Sequence, residues 1–161
     1  MFFSRADENY FSGAYRYIPV GNTEKDANMI AEATGAELFK IEQQIPYAAD
    51  YNTCIAQAKK DLQTKSCPAL VSMPDSLDGY DEIYFGYPNY WGDMPMAVYT
   101  FLEHFDWHGK TIHPFCTHEG SGLGQTERRI QDTCKGATVT HGLAIHGGSV
   151  DCAKASVEKW V

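Results

Sequence analysis

Two patterns of apolar and polar residues take turns along this chain. One repeats at helical spacing, and the other is a short, nearly continuous apolar run. After Gly21-Asn22-Thr23, the side chains Ala27, Ile30, Ala31 and Thr34 fall on one helical face, and Gly35 is placed to end the helix. Thr23 and Asp26 have the spacing of a capping box at its start. The segment ELFKIE (37–42) reads as a short strand, and residues 50–65 read as an exposed helix inside a long connection. DEIYFGYP (81–88) is a mostly apolar run stopped by Pro88, the pattern of a strand buried on both faces. Val98, Phe101, Leu102 and Phe105 mark a helix beginning near Pro95, whose fixed φ suits a first turn.

The alternation continues to the end of the chain. KTIHPFC (110–116) is strand-like, although Pro114 has no N–H to give an inner ladder. QTERRIQDTC (125–134) is helix-like, ATVTHGLAI (137–145) is strand-like, and Val150, Ala153, Val157 and Trp160 stripe a last helix. Strands alternating with helices predict an α/β fold, a parallel sheet covered on both faces. No repeat or linker interrupts the pattern. With 161 residues and 43% hydrophobic composition, a single domain over 1–161 has enough material for a core.

Charge and cysteine use narrow the partners. The 13 basic and 21 acidic side chains leave a net charge of −8, which repels phosphate backbones and acidic membrane surfaces and argues against nucleic acid and membrane binding. No apolar run has the length of a membrane span, and MFFSRADENY lacks the basic start and apolar stretch of a signal peptide, so a cytoplasmic protein is expected. Cys54, Cys67, Cys116, Cys134 and Cys152 are odd in number and form no CxxC pair, so reduced structural thiols are expected. Cys116 with His118 supplies two ligands and falls short of a metal site, and His104, His108, His113, His141 and His146 have no ligand spacing.

In parallel α/β sheets, ligands sit beyond the carboxyl ends of the strands where the strand order reverses. Three loops follow strands here: 4–23, 88–95 and 117–124. The first ends in Gly21-Asn22-Thr23 at a helix N-terminus, where free N–H groups and the helix dipole favour a phosphate. No Lys follows a Gly-rich loop at the spacing needed for a triphosphate, and GSGLG is a broken dinucleotide fingerprint, with Gln125 where its last glycine would stand. Tyr90 and Trp91 offer flat apolar surfaces, and the Gly-rich loop opposite permits close backbone approach. Together they suit a planar ring.

These segments resemble the flavodoxin-like family, whose members read FSRxGNT, GYPxWWGxMPxxVxTFLE and GKTIxPFCTxxGSG in that order. Here they are FSR…GNT, GYPNYWGDMPMAVYTFLE and GKTIHPFCTHEGSG, and the match runs over nearly the whole chain. The resemblance implies a flavodoxin-like three-layer sandwich with a parallel five-stranded sheet of order 2-1-3-4-5, helices on both faces, and bound FMN. It places the FMN phosphate on Ser4, Asn22 and Thr23, and counts Arg5 and Gly21 of the same loop among the cofactor-binding residues. One side of the ring falls to Pro88, Asn89, Tyr90, Trp91 and Gly92, and the other to Thr117, His118, Glu119, Gly120, Ser121 and Gly122. On this view Trp91 is exposed in order to face the flavin, His118 and Glu119 make contacts, and no side chain acts as acid or base.

Two departures stand out. An insertion at 6–20 interrupts the phosphate loop, forming either a flap that brings Tyr10, Tyr15 or Tyr17 to the ring or a small core of its own. Only Met1, Phe2 and Phe3 precede the loop, whereas a central strand normally runs about five to six residues, so a natural start upstream of Met1 is expected. The resemblance implies an FMN-dependent electron carrier that serves redox partner proteins, a reductase donor and an acceptor, as a monomer or homodimer. The alternatives are an NAD(P)H-dependent reductase of quinones, nitro or azo compounds, and a ligand-binding module without redox use.

Overall fold

The computed structural model describes residues 1–161. From the amino end the elements are β1 (Phe2–Phe3), β2 (Asp7–Phe11), β3 (Ala14–Ile18), α1 (Asn22–Thr34), β4 (Lys40–Ile41), α2 (Tyr51–Thr64) and β5 (Glu82–Pro88). They continue as α3 (Met96–His104), β6 (Thr111–His118), α4 (Thr126–Thr133), β7 (Thr138–Val139), β8 (Leu143–His146), a 3-10 turn (Gly147–Cys152) and α5 (Lys154–Trp160).

The main sheet is parallel, with order β4-β1-β5-β6-β7, and β8 also pairs with β6. The first four places match the expected order. The fifth is shared, because the strand predicted over 137–145 is broken at 140–142. Pro114 supplies the reason. The N–H of Thr140 bonds the Ile112 carbonyl at 3.0 Å, so even-numbered residues of β6 turn their backbone groups toward the fifth place. Pro114 turns there too and has no N–H to give. The chain bends away at that point: Gly142 packs against the Pro114 carbonyl and gives its N–H to Glu127 Oε1 at 2.7 Å.

Successive side chains of each inner strand point to opposite faces. Phe3, Ile83, Phe85 and Tyr87 are buried with Phe101, Leu102 and Trp107 in the larger core. Phe2 and Phe115 turn the other way and are buried with Ala27, Ile30 and Val157 of α1 and α5. Burial on both faces explains why DEIYFGYP is apolar throughout. Gly86 is required by packing, since a Cβ there would lie 2.1 Å from Phe115 Cζ and 2.3 Å from its Cε2.

Two local expectations are corrected. There is no capping box on α1. Its N-cap is Gly21, which makes no side-chain cap bond, and the Glu24 N–H is met by Ser4 Oγ at 3.0 Å. A hydroxyl distant in sequence fills the place a local cap would take, and Thr23 Oγ1 turns to Thr117 Oγ1 at 2.8 Å. The strand predicted over 37–42 is reduced to Lys40–Ile41, because its partner β1 pairs with it at only two positions.

The 6–20 insertion is a β-hairpin with register Asp7↔Ile18 through Phe11↔Ala14, and it turns at Ser12 (φ 45°) and Gly13 (φ 96°). Tyr10 stacks on Tyr51 at 6.0 Å and Tyr15 lies 5.5 Å from it, so the hairpin leans on the start of α2. Tyr17 points into solvent.

Gly86→Ala should destabilise the fold by about 1–3 kcal/mol through overpacking. Urea denaturation checks this as a lowered midpoint, and Phe115→Leu in the same chain should recover part of the loss.

Candidate functional site

The carboxyl ends of β1, β5 and β6 open into a pocket of about 300 Å³. It lies at the switch point, where the connection after β1 runs to β4 on one side and the connection after β5 runs to β6 on the other. A cavity of about 390 Å³ sits at the opposite end of the sheet, lined mainly by apolar side chains such as Ile30, Ala31, Leu38 and Phe39. Loops with converging polar groups surround only the first, which makes it the candidate site.

The wall after β5 is a closed turn. The Tyr90 N–H bonds the Asp93 carbonyl at 2.8 Å and the reverse bond is 3.1 Å, with Trp91 (φ 58°) and Gly92 (φ 77°) as central residues. Both are left-handed, the conformation of a type I′ turn, so a glycine follows the tryptophan. Asp93 Oδ1 accepts from the Tyr99 hydroxyl at 2.6 Å and anchors the turn to α3. Trp91 is 51% exposed, yet it is held: its Nε1 donates to the Ile55 carbonyl at 3.0 Å, and the Lys59 ammonium lies 4.7 Å from the ring centroid. The Tyr90 ring goes inward, where burial pushes its phenol well above the ordinary value, so it stays protonated.

Asn89 joins this wall to the next. Its Nδ2 donates to the Gly122 carbonyl at 2.8 Å, its Oδ1 accepts from the Gly92 N–H at 3.0 Å, and its own N–H bonds the Thr117 carbonyl at 2.8 Å. The wall after β6 carries His118, whose Nδ1 accepts from the Gly120 N–H at 2.9 Å, leaving Nε2 to bear the proton of the neutral ring. Burial and the nearby His146 both hold His118 below its ordinary value. Glu119 Oε2 lies 3.6 Å from His146 Nε2 and accepts from the Ser12 N–H at the hairpin tip at 3.2 Å. That bond spans the pocket.

The third side is the N-terminus of α1. Asn22 and Thr23 have N–H groups with no protein partner, while the Glu24 N–H is used by Ser4. A Cβ on Gly21 would strike Ser4 Oγ and the Arg5 carbonyl, so only glycine lets the chain pass so close. The Arg5 guanidinium is directed elsewhere. It donates to the carbonyls of Glu8 (2.5 Å), Ala48 (2.7 Å) and Ala49 (2.6 Å), tying the hairpin to the approach to α2.

Of the residues expected here, Arg5, Asn22, Pro88, Asn89, Tyr90, Trp91, Gly92, Thr117, His118, Glu119 and Ser121 line the pocket. Ser4, Gly21, Thr23, Gly120 and Gly122 are not part of this lining; Ser4 bonds the Glu24 N–H, Thr23 bonds Thr117, and the Gly122 carbonyl accepts from Asn89. Asn9, Tyr10, Tyr51, Cys54, Ile55 and Gly147 also line it and were not among the expected site residues. Tyr51, Cys54, Ile55 and Ala58 recur at i, i+3, i+4 and i+7, so the helical stripe of α2 was the available signal. Tyr10 was foreseen only as one of three flap aromatics, and nothing local marks Asn9 or Gly147.

A doubly wound sheet with such a pocket at its switch point defines a class of ligand-binding α/β proteins. The family described as Flavodoxin matches residues 10–161, and the chain belongs to it. No curated protein matches. A protein of Bacteroides uniformis described as a flavoprotein is 29% identical, covering 99% of this chain and 93% of its own, with a TM-score of 0.78. Another from Bacteroides eggerthii is 23% identical, covering 97% and 94%, with a TM-score of 0.72. A Lactobacillus acidophilus flavoprotein solved in complex with FMN is 20% identical, covering 86% and 89%, with a TM-score of 0.65.

Asn89→Ala removes the partners of the Gly92 N–H and the Gly122 carbonyl. It should cost about 1–3 kcal/mol of stability. Asn89→Asp, which keeps the acceptor and loses the donor, should fall between; chemical denaturation of the two variants checks the order.

Proposed function

We propose that this chain binds FMN at the switch-point pocket and works as an electron carrier between redox partner proteins. The observation that carries the reading is the meeting, in one pocket, of two unpartnered N–H groups at a helix N-terminus and an aromatic turn across from a Gly-rich loop. The donors fit a monophosphate. Asn22 and Thr23 face it with backbone N–H groups, Gly21 keeps side-chain bulk away, and the dipole of α1 adds positive potential. With Arg5 directed elsewhere, neutral donors hold the anion. The ring falls between Trp91 and the 117–122 loop, with Tyr10 and Tyr51 at its rim.

Bound FMN supplies one- and two-electron transfer; the chain holds it and sets its surroundings. Trp91 is fixed by Ile55 before any ligand arrives, so stacking costs little side-chain entropy. The Tyr90 phenol and Cys54 thiol stay protonated because burial raises both, which keeps negative charge away from the ring. Carriage rather than NAD(P)H oxidation is favoured by the cover of the hairpin and α2, joined to the opposite wall through Ser12 and Glu119. A nicotinamide needs an open ring face and groups for a second set of phosphates. The net charge of −8 steers basic protein partners and repels a dinucleotide.

The purified protein should hold or take up one FMN per chain, seen in its visible absorption spectrum, and prefer it to FAD. A colourless chain without affinity for added FMN overturns the reading. Trp91→Ala should lose about 1–3 kcal/mol of ring stacking, which is about five-fold or more in Kd. NADH or NADPH consumption should be slow with the protein alone and rapid once a flavodoxin reductase is added. Fast turnover without that donor, saturating in nucleotide and in a quinone or azo acceptor, selects the reductase instead.

A further inference from the structure

Three polar oxygens at the start of α1 are sealed from solvent with nothing to bond: Asn22 Oδ1 and both carboxylate oxygens of Asp26. Asp26 is fully buried, and it stands one helical turn from Asn22, at the i, i+4 spacing that makes side chains neighbours. All three are acceptors while Asp26 is ionised. A single proton on the carboxyl turns one of them into a donor. Asn22 is also the residue that joins this sealed spot to the pocket: its Nδ2 and Glu119 Oε1 lie 2.7 and 2.5 Å from the point where a Cβ on Gly147 would sit.

We propose that Asp26 is a positioning residue that acts as a neutral acid: its carboxyl proton bonds the Asn22 carbonyl oxygen and so holds the Asn22 amide N–H₂ toward the phosphate end of the pocket. Deprotonation reverses the effect. A buried carboxylate repels the Asn22 oxygen and places negative charge beneath the helix N-terminus that receives the phosphate.

Burial alone, with no compensating partner, pushes Asp26 from 3.8 up to about 7. The groups around it do not oppose this. On α1, Lys25 is paired with Asp151 of the 3-10 turn, and Glu24 with Lys40. On α5, Lys154 is shared between Glu32 and Glu158, and Lys159 is exposed. The turn adds the exposed Cys152 thiol, and β1 contributes no side-chain charge. β5 carries Glu82, Tyr84 and Tyr87, and β6 carries His113, Cys116 and His118; of these, the Cys116 thiol is pushed up to about 12, first by its burial and then by the neighbouring Asp26. No free cation faces the carboxyl.

The test rests on the FMN reading for one arm and is independent of it for the other. In the first, FMN and riboflavin affinities are measured from about pH 6 to about pH 8.5, across the expected titration. Wild-type FMN affinity should fall about three- to ten-fold, the worth of one hydrogen bond, with riboflavin unchanged. Asp26→Asn donates at every pH and should keep the low-pH affinity throughout, whereas Asp26→Leu should be weak throughout. The second ionisation of the FMN phosphate is common to all three proteins and cancels in the comparison. An Asp26→Asn profile that follows the wild type, or an Asp26→Leu variant as tight as Asp26→Asn, overturns the proposal.

In the second arm, NMR follows the Asp26 carboxyl and the Asn22 side-chain amide in the FMN-free protein. The two should titrate together well above the usual carboxylate range. Because the folded value is raised, the contribution to stability is present below about pH 4 and lost as pH rises toward 7; Asp26→Asn should lack that decline. A carboxyl ionising near its ordinary value, or an amide that ignores it, overturns the link. Coupled titration in a chain that binds no FMN supports the link and sinks the FMN reading alone.

Discussion

The parallel pairing of β5 with β6 is the constraint on which the site depends. The two strands stay in register from Glu82↔Thr111 to Pro88↔Thr117 and end side by side. Pro88 stops one ladder, and the Asn89 N–H closes it onto Thr117. The two walls of the pocket therefore leave the sheet at neighbouring points and in a fixed direction. Gly86 makes this possible from below, since the Phe115 ring occupies the place of its missing side chain.

The bonds that shape the pocket are internal to the chain. Asn89 couples one wall to the other, Thr117 reaches across to Thr23, Ser4 caps α1 from the end of β1, and Arg5 gathers three backbone carbonyls. A site held by its own hydrogen bonds is preorganised and asks little ordering of a ligand. It also explains which donors are left over. The N–H groups of Asn22 and Thr23 remain because α1 takes its cap at Glu24, leaving neutral donors where an anion would bind.

Burial keeps the interior around the pocket uncharged. Asp26, Cys54, Cys116 and Tyr90 are all displaced toward their neutral forms, chiefly by desolvation. The Arg5 guanidinium is the charge that enters the lining, held by backbone carbonyls; other charge sits where Glu119 meets His146 and the hairpin tip, and where Lys59 lies over Trp91. A ring placed between the walls would lie on neutral donors and aromatic surface, with the acidic exterior further out.

The α/β alternation, the inner strand at 81–88, the helices at 50–65 and after Pro95, and the three loops that line the pocket were all legible in the sequence. Each rests on contacts a few residues apart, through periodicity, a proline stop or a turn-forming glycine. Tertiary structure decided the rest. Ser4 replaced the local cap foreseen for Thr23 because β1 delivers its hydroxyl to α1. Arg5, expected among the cofactor-binding residues, lines the pocket, but its guanidinium is held by carbonyls that lie far along the chain. The fifth strand split because Pro114 denies it an N–H, and whether Pro114 turns its backbone to that strand or to β5 is set by the register of the sheet. Tyr51, Cys54 and Ile55 entered the pocket only when α2 packed beside the hairpin. Local spacing determines an element and its faces, while the partner of each face is set by burial against segments distant in sequence.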